Sequence, residues 1–220
     1  MIGLMGGAVG ETGPQLTLAG MEALVKWENR MKYSKCAVWL FLGSLVYAVV
    51  RYNVFGEVAW VNVPVYVCNK AVSWTGLVLF GLSVISREKE DRRGYGALAA
   101  ALIGLHVVMS LVAMNPAYFT KLYGATGRMN GAGELSMLAG TVGVAFLGGL
   151  LALHVQGPGE GTSLRAGWGR AVLWFSGAHV AVMGFAGWLT PAKWPGYMPP
   201  ITMISFLTVA WFLYRRRRLG

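Results

Sequence analysis

Acidic residues, cysteine and histidine are all scarce in this chain. Asp and Glu number 9 among 220 residues, against 19 Lys and Arg, and there are 2 Cys and 3 His. Cys36 and Cys68 form no CxxC pair, so a thiol-redox site has no support and both are expected to pack as small apolar side chains. The long apolar stretches of the sequence contain no Asp or Glu. A proton relay through the membrane therefore lacks the carboxylates that would continue it.

Apolar residues dominate the composition instead. The sequence is 55% hydrophobic and 13% charged, with a mean hydropathy of +0.53, which is far from a soluble globular profile. Five apolar stretches, and a shorter sixth, have lengths suited to crossing about 30 Å of hydrocarbon. They cover residues 36–55, 66–86, 97–114, 135–155, 171–189 and 199–214. We therefore predict an all-α, multi-pass integral membrane protein: a six-transmembrane-helix bundle in a lipid bilayer.

The basic residues are distributed unequally between the two sides of such a bundle. All Lys and Arg fall on the side of the termini except Arg51, Lys70, Lys121, Arg128 and Lys193. Because Lys and Arg accumulate on the cytoplasmic side, both termini are predicted to be cytoplasmic, and a bacterial inner membrane is expected. The formal net charge of +10 then reflects membrane topology, and no nucleic-acid partner is predicted.

The chain divides into three parts by composition. Residues 1–35 are predicted to form a cytoplasmic or interfacial leader rather than a signal peptide, because no basic residue precedes their short apolar part. Residues 36–214 form the transmembrane domain, and residues 215–220 form a basic cytoplasmic tail that contacts anionic lipid. The connections 51–64 and 115–134 are rich in aromatic residues and glycine, which is typical either of an interfacial belt or of a lid over a site.

Two of the three histidines, His106 and His179, lie near the middle of the third and fifth stretches. These two stretches run in the same direction, and about 1.5 Å per residue places both imidazoles roughly 12 to 15 Å from the cytoplasmic end. Two imidazoles at one depth match the axial ligation of a single haem iron. The alternative is that each histidine forms a hydrogen bond across the bundle as a packing contact. His154, at the end of the fourth stretch, is expected to be solvated.

Haem propionates need basic or hydrogen-bonding partners inside a membrane. Arg51 and Lys70 lie near the outer ends of the first two stretches, and Arg170 precedes the fifth at its inner end. Each of these three cations is a candidate cofactor-binding residue. The alternative is that Arg51 and Lys70 extend to the interface and remain solvated. No catalytic nucleophile or acid–base pair is evident, and His106 and His179 are the predicted metal ligands.

Over about residues 36–214 the chain resembles the ferric reductase-like transmembrane domain family. This is the six-span haem-binding module of ferric reductases, NADPH oxidases and the membrane subunit of the methionine sulfoxide reductase system. The resemblance rests on six spans with cytoplasmic termini, on histidines in spans three and five, and on the segments Val65–Ala71 and Asn130–Ser136. Two-haem members carry a second histidine further along both spans, and none is present here. The resemblance therefore implies one bis-histidine haem b.

The sequence thus predicts a b-type cytochrome membrane subunit that carries electrons from quinol or a cytoplasmic flavoprotein to an acceptor at the outer face. No glycine-rich nucleotide motif follows the sixth stretch, so a separate protein redox partner or a larger membrane complex is expected to supply electrons and perform substrate chemistry. Two alternatives stay open: a cofactor-free structural or assembly subunit of a larger membrane complex, and a small transporter, which broken helices or paired intramembrane charges would favour.

Overall fold

Six long helices form the part of the chain that the structure describes. The computed structural model describes residues 18–155 and 162–219, with side chains described for 27–154 and 164–219. The helices are α1 (Leu18–Val49), α2 (Cys68–Ile85), α3 (Lys89–Val112), α4 (Gly131–Val155), α5 (Thr162–Trp188) and α6 (Ile201–Leu219). Each contributes one segment that is long and apolar enough to cross a membrane. The predicted all-α, six-helix membrane fold is confirmed.

Most helices extend beyond the apolar stretches that predicted them. α3 begins at Lys89, and α6 continues through its arginine run to Leu219. Hydropathy locates the part of a helix that lies in hydrocarbon, whereas the helix itself ends where its backbone hydrogen bonds end. α1 is continuous from Leu18, so the later part of the predicted leader joins the first span in one helix. Residues 1–17 of the predicted leader lie outside the described residues.

The bundle has two unlike faces. The arginine face carries Arg92, Arg93 and Arg215–Arg218, and there the side chains of Lys32 and Tyr33 on α1 each lie 2.9 Å from Asp91 on α3. The loop face carries short helical turns at Val50–Val54, Trp60–Asn62, Val63–Val67, Thr120–Leu122, Pro191–Lys193 and Pro195–Tyr197. The assignment of the arginine face to the cytoplasm stays a prediction from the distribution of basic residues.

The apolar core occupies the half of the bundle nearer the arginine face. Its buried residues are Leu77, Leu79, Phe80, Ala99, Leu147, Val172, Leu173, Val209, Phe212 and Leu213. Glycines permit close helix packing here, because a Cβ at Gly81 would overlap the ring of Phe212 and a Cβ at Gly149 would overlap Trp168. In the other half, α2 packs against α3 and α4 packs against α5, and a cavity lies between these two pairs.

Candidate functional site

His106 and His179 line the same cavity, although they lie on non-adjacent helices. This histidine cavity has a volume of about 410 Å³ and a mostly apolar wall. Leu77, Leu147 and Val172 belong both to its lining and to the apolar core, so the core closes the cavity on the side of the arginine face. The cavity is thus a space in the membrane interior that two imidazoles share.

The ring of His106 is held by a side chain from the neighbouring helix α2. Its Nδ1 lies 2.7 Å from Oδ1 of Asn69, which is 5% exposed. The amide nitrogen of Asn69 in turn donates to Oγ of Ser110 at 2.9 Å, and this hydroxyl lies 3.4 Å from Nδ1 of His106. Because a side-chain carbonyl oxygen only accepts, Nδ1 of His106 must be the donor.

The ring of His179 is held by the backbone of α4. Its Nδ1 lies 2.8 Å from the carbonyl oxygen of Ser136. The hydroxyl of the fully buried Ser136 lies 3.1 Å from the same nitrogen and donates to the carbonyl oxygen of His179 at 3.2 Å. Here too the partner is a carbonyl that only accepts, so Nδ1 carries the hydrogen.

The two imidazoles therefore have the same tautomer. A neutral imidazole has one donor and one acceptor nitrogen, so engagement of both Nδ1–H groups leaves Nε2 with a free lone pair in each ring. Neither Nε2 of His106 nor that of His179 has a hydrogen-bond partner among the described residues. Histidines that bind metals are usually oriented in this way, by a hydrogen bond from the nitrogen that does not bind.

Glycines on α4 shape one wall of the histidine cavity. A Cβ at Gly140 would lie 3.1 Å from Nδ1 of His179, and one at Gly143 would lie 3.4 Å from Cβ of Phe175. Gly104 and Gly177 each lie two residues before a cavity histidine in the sequence. Neither lines the cavity: Gly104 has open space around it, and Gly177 packs toward Val209. The helix that approaches a cavity histidine closely is α4, which passes His179 at Gly140.

The histidine cavity is only partly enclosed. Leu111 on α3 and Thr141 on α4 both line it, and both side chains are exposed. These two helices therefore contribute exposed side chains to its wall.

A second cavity of about 390 Å³, the loop-face cavity, adjoins the first. The two share a wall made by Tyr66, Lys70, Phe119, Leu122, Met183 and Thr202. The ammonium of Lys70 lies 4.2 Å from the ring centroid of Tyr66 and 5.0 Å from that of Tyr52. Lys70 forms no ion pair with a described carboxylate. Lys70 thus lies at the boundary between the two cavities without a described counter-ion.

The other predicted cofactor-binding cations are placed differently from Lys70. Arg51 is 5% exposed and lines the loop-face cavity, where its Nε donates to the carbonyl oxygens of Met198 and Pro199 at 3.1 and 2.9 Å. Arg170 is exposed near the start of α5 and lines neither cavity. His154 is also exposed, as expected, and lines neither cavity. The structure brings His106, His179 and Lys70 together, with Arg51 in the adjoining space.

A pair of imidazoles suits a metal whose remaining ligands come from a cofactor. Protein sites for a bare zinc ion use three or four side-chain ligands. Within residues 27–154 and 164–219, no group of three or more His, Cys, Asp or Glu is placed to hold a metal ion. The two imidazoles line a cavity whose volume lies within the range of about 300–1,000 Å³ that is usual for bound small molecules.

Sequence reasoning missed the residues that orient the histidines. Asn69 and Ser136 belong to the segments Val65–Ala71 and Asn130–Ser136 on which the family resemblance rests, but neither was assigned to an imidazole. A signal was present, because both are polar residues just inside the loop-face ends of apolar stretches, each in the helix preceding its histidine. Comparison with known proteins adds no candidate: no family model matches this sequence, and no curated protein matches it significantly.

Proposed function

We propose that this protein is a b-type cytochrome of the membrane that holds one haem between His106 and His179 and carries single electrons across the bilayer. The observation that carries the proposal is the shared cavity, in which both imidazoles keep Nε2 free while Nδ1 donates to Asn69 or Ser136. Hydrogen bonds of this kind orient metal-binding imidazoles and increase their basicity. Two such rings facing one cavity suit bis-histidine ligation better than two unrelated packing contacts.

Haem iron, when bound, alternates between the ferric and ferrous states, and this supplies the electron transfer. The chain itself orients the two ligands and excludes water through the apolar floor formed by Leu77, Leu147 and Val172. Lys70, on the wall between the two cavities, balances a propionate charge in this proposal. Arg170 has no part in it, because it lines neither cavity.

The proposed path runs from a donor on the arginine face, or in the membrane, to an acceptor at the loop face. A quinol in the lipid would reach the histidine cavity past the exposed lining residues of α3 and α4, and a flavoprotein partner would instead dock on the basic arginine face. In this proposal the protein is a member of the ferric reductase-like family in the bacterial inner membrane. Substrate chemistry then belongs to the redox partner or to the acceptor.

The absorption spectrum of the purified protein tests this function. Protein from haem-sufficient cells should show a Soret band and, after reduction with dithionite, a sharp α band. His106→Ala and His179→Ala should each abolish the sharp α band, because the iron would lose one axial ligand. His154→Ala is the matched control, since the third histidine is exposed and lines neither cavity, and it should leave the spectrum unchanged.

Two outcomes would contradict the haem proposal. One is a colourless preparation whose helical circular dichroism shows that it is folded, which would favour the cofactor-free structural subunit. The other is a haem spectrum that survives both cavity-histidine substitutions. In that case the haem would be bound elsewhere on the protein.

A further inference from the structure

The lining of the loop-face cavity contains more basic than acidic side chains. Its lining includes four basic side chains, those of Arg51, Lys70, Lys121 and Lys193, and one carboxylate, that of Glu57. Lys121 and Lys193 are exposed at the rim, whereas Arg51 is buried. Buried charge is costly without a partner, so a basic cavity of this kind favours an anion from outside the chain.

Arg51 is the buried cation of this cavity and has no described counter-ion. Its Nε is engaged with the carbonyl oxygens of Met198 and Pro199, and this holds the guanidinium in place at the start of α6. The guanidinium carbon also lies 4.8 Å from the ring centroid of Tyr52, and no described carboxylate forms an ion pair with Arg51. A planar guanidinium fixed in this way can hold a carboxylate through its Nη hydrogens.

Aromatic rings form much of the remaining wall. The rings of Tyr66 and Tyr118 are stacked with centroids 5.6 Å apart, and Phe119 packs edge-on against Tyr66 at 5.7 Å. Trp194 lines the cavity as well, with its indole nitrogen bound to the carbonyl oxygen of Gly187. Aromatic side chains pack well against a flat ring. Aromatic side chains in the wall are thus suited to contact with a planar ligand, and the cations are suited to a negative one.

We propose that the loop-face cavity is a binding site for a small, exchangeable aromatic carboxylate, separate from any cofactor in the histidine cavity. Arg51 holds the carboxylate through its Nη groups, Lys121 and Lys193 attract it at the rim, and Tyr66 with its neighbours contacts the ring. This site goes beyond electron transfer and does not depend on whether haem binds. Haem propionates carry the same carboxylate chemistry, so the test must separate the two sources.

Isothermal titration of the full chain in phosphatidylcholine nanodiscs, with phthalate as the probe, tests the site. Phthalate should bind, and its neutral dimethyl ester should not. Arg51→Lys, which keeps the charge and removes the paired Nη donors, should weaken binding at least about tenfold, as should the double variant Lys121→Gln/Lys193→Gln. Arg128→Gln is the control, because Arg128 is an exposed cation that lines neither cavity.

The double variant His106→Ala/His179→Ala separates this site from the haem proposal. Equal phthalate binding with and without the two histidines supports a free anion site, whatever the absorption spectrum shows. Binding that appears only in the histidine variant overturns the proposal, because cofactor carboxylates would then occupy the cations. Absence of binding, equal binding of the neutral ester, or an equal effect of Arg128→Gln would also overturn it. If Arg51→Lys fails to fold, the double variant Lys121→Gln/Lys193→Gln still tests the site.

Discussion

Oδ1 of Asn69 lies 2.7 Å from Nδ1 of His106, across the contact between α2 and α3. This oxygen accepts the hydrogen of Nδ1, while the amide nitrogen of Asn69 donates to Oγ of Ser110. Asn69 on α2 thus determines which ring nitrogen of His106 on α3 can bind a ligand.

Replacing Asn69 by Leu should weaken haem binding without removing either ligand. The Nδ1–H of His106 would be left buried without an acceptor, at a cost of about 1–3 kcal/mol. Loss of such an orienting partner lowers metal affinity by about 10- to 100-fold. Titration of haem into haem-free protein, followed by absorption, measures this. Ser73→Ala is the control, because Ser73 lines the cavity but donates within its own helix to the carbonyl oxygen of Lys70. Equal affinities in the two variants would show that Asn69 has no orienting role.

Replacing Gly140 by Val should displace the imidazole of His179. Even the first added carbon would lie 3.1 Å from Nδ1 of that ring, so the two γ-methyl groups of Val must move the ring or the helix. The expected result is a reduced spectrum that loses its sharp α band while His179 is still present. Gly148→Val on the same helix is the matched control, since nothing lies within 4 Å of its added carbon. An unchanged spectrum for Gly140→Val would contradict the close approach of α4 to the ligand.

Replacing Gly81 by Ala should destabilise the bundle without touching the histidine cavity. The added methyl group would overlap the ring of Phe212, and overpacking of a core typically costs about 1–3 kcal/mol. Unfolding by sodium dodecyl sulfate, followed by circular dichroism, gives the change in the free energy of unfolding. Gly43→Ala, where nothing lies within 4 Å, should instead be neutral or stabilising by up to about 1 kcal/mol. A Gly81→Ala protein as stable as the wild type would mean that α2 and α6 are not packed closely at this point.

The six-helix fold was predictable because each transmembrane helix must satisfy its own backbone and present apolar side chains to lipid. Those requirements are local, so runs such as 97–114 and 171–189 could be recognised one at a time. Helix ends were less predictable: α3 begins at Lys89 and α5 at Thr162, because polar residues continue a helix beyond the hydrocarbon. The interior positions of His106 and His179 followed from the same local pattern.

The partners of the histidines were not predictable in the same way. Ser136 binds His179 through its backbone carbonyl, a group that every residue carries and that no pattern of side chains reveals. At Gly140, α4 packs so closely against α5 that an added Cβ would lie 3.1 Å from Nδ1 of His179. Gly104 lies nearer to a cavity histidine in the sequence, yet nothing lies within 4 Å of an added Cβ there. Arg51 and Lys70 looked equivalent in the sequence, yet Lys70 lines both cavities and Arg51 lines one.

The sequence alone thus determined that six apolar helices cross the membrane and that two imidazoles lie inside them, because hydrophobic length and residue spacing are properties of each segment. The packing of the helices decided the rest. It brought His106 and His179 to one cavity, gave both rings the same tautomer, and collected four cations at the loop face. These features depend on which helix faces meet and how closely, and that is settled by the fit of side chains across the whole bundle.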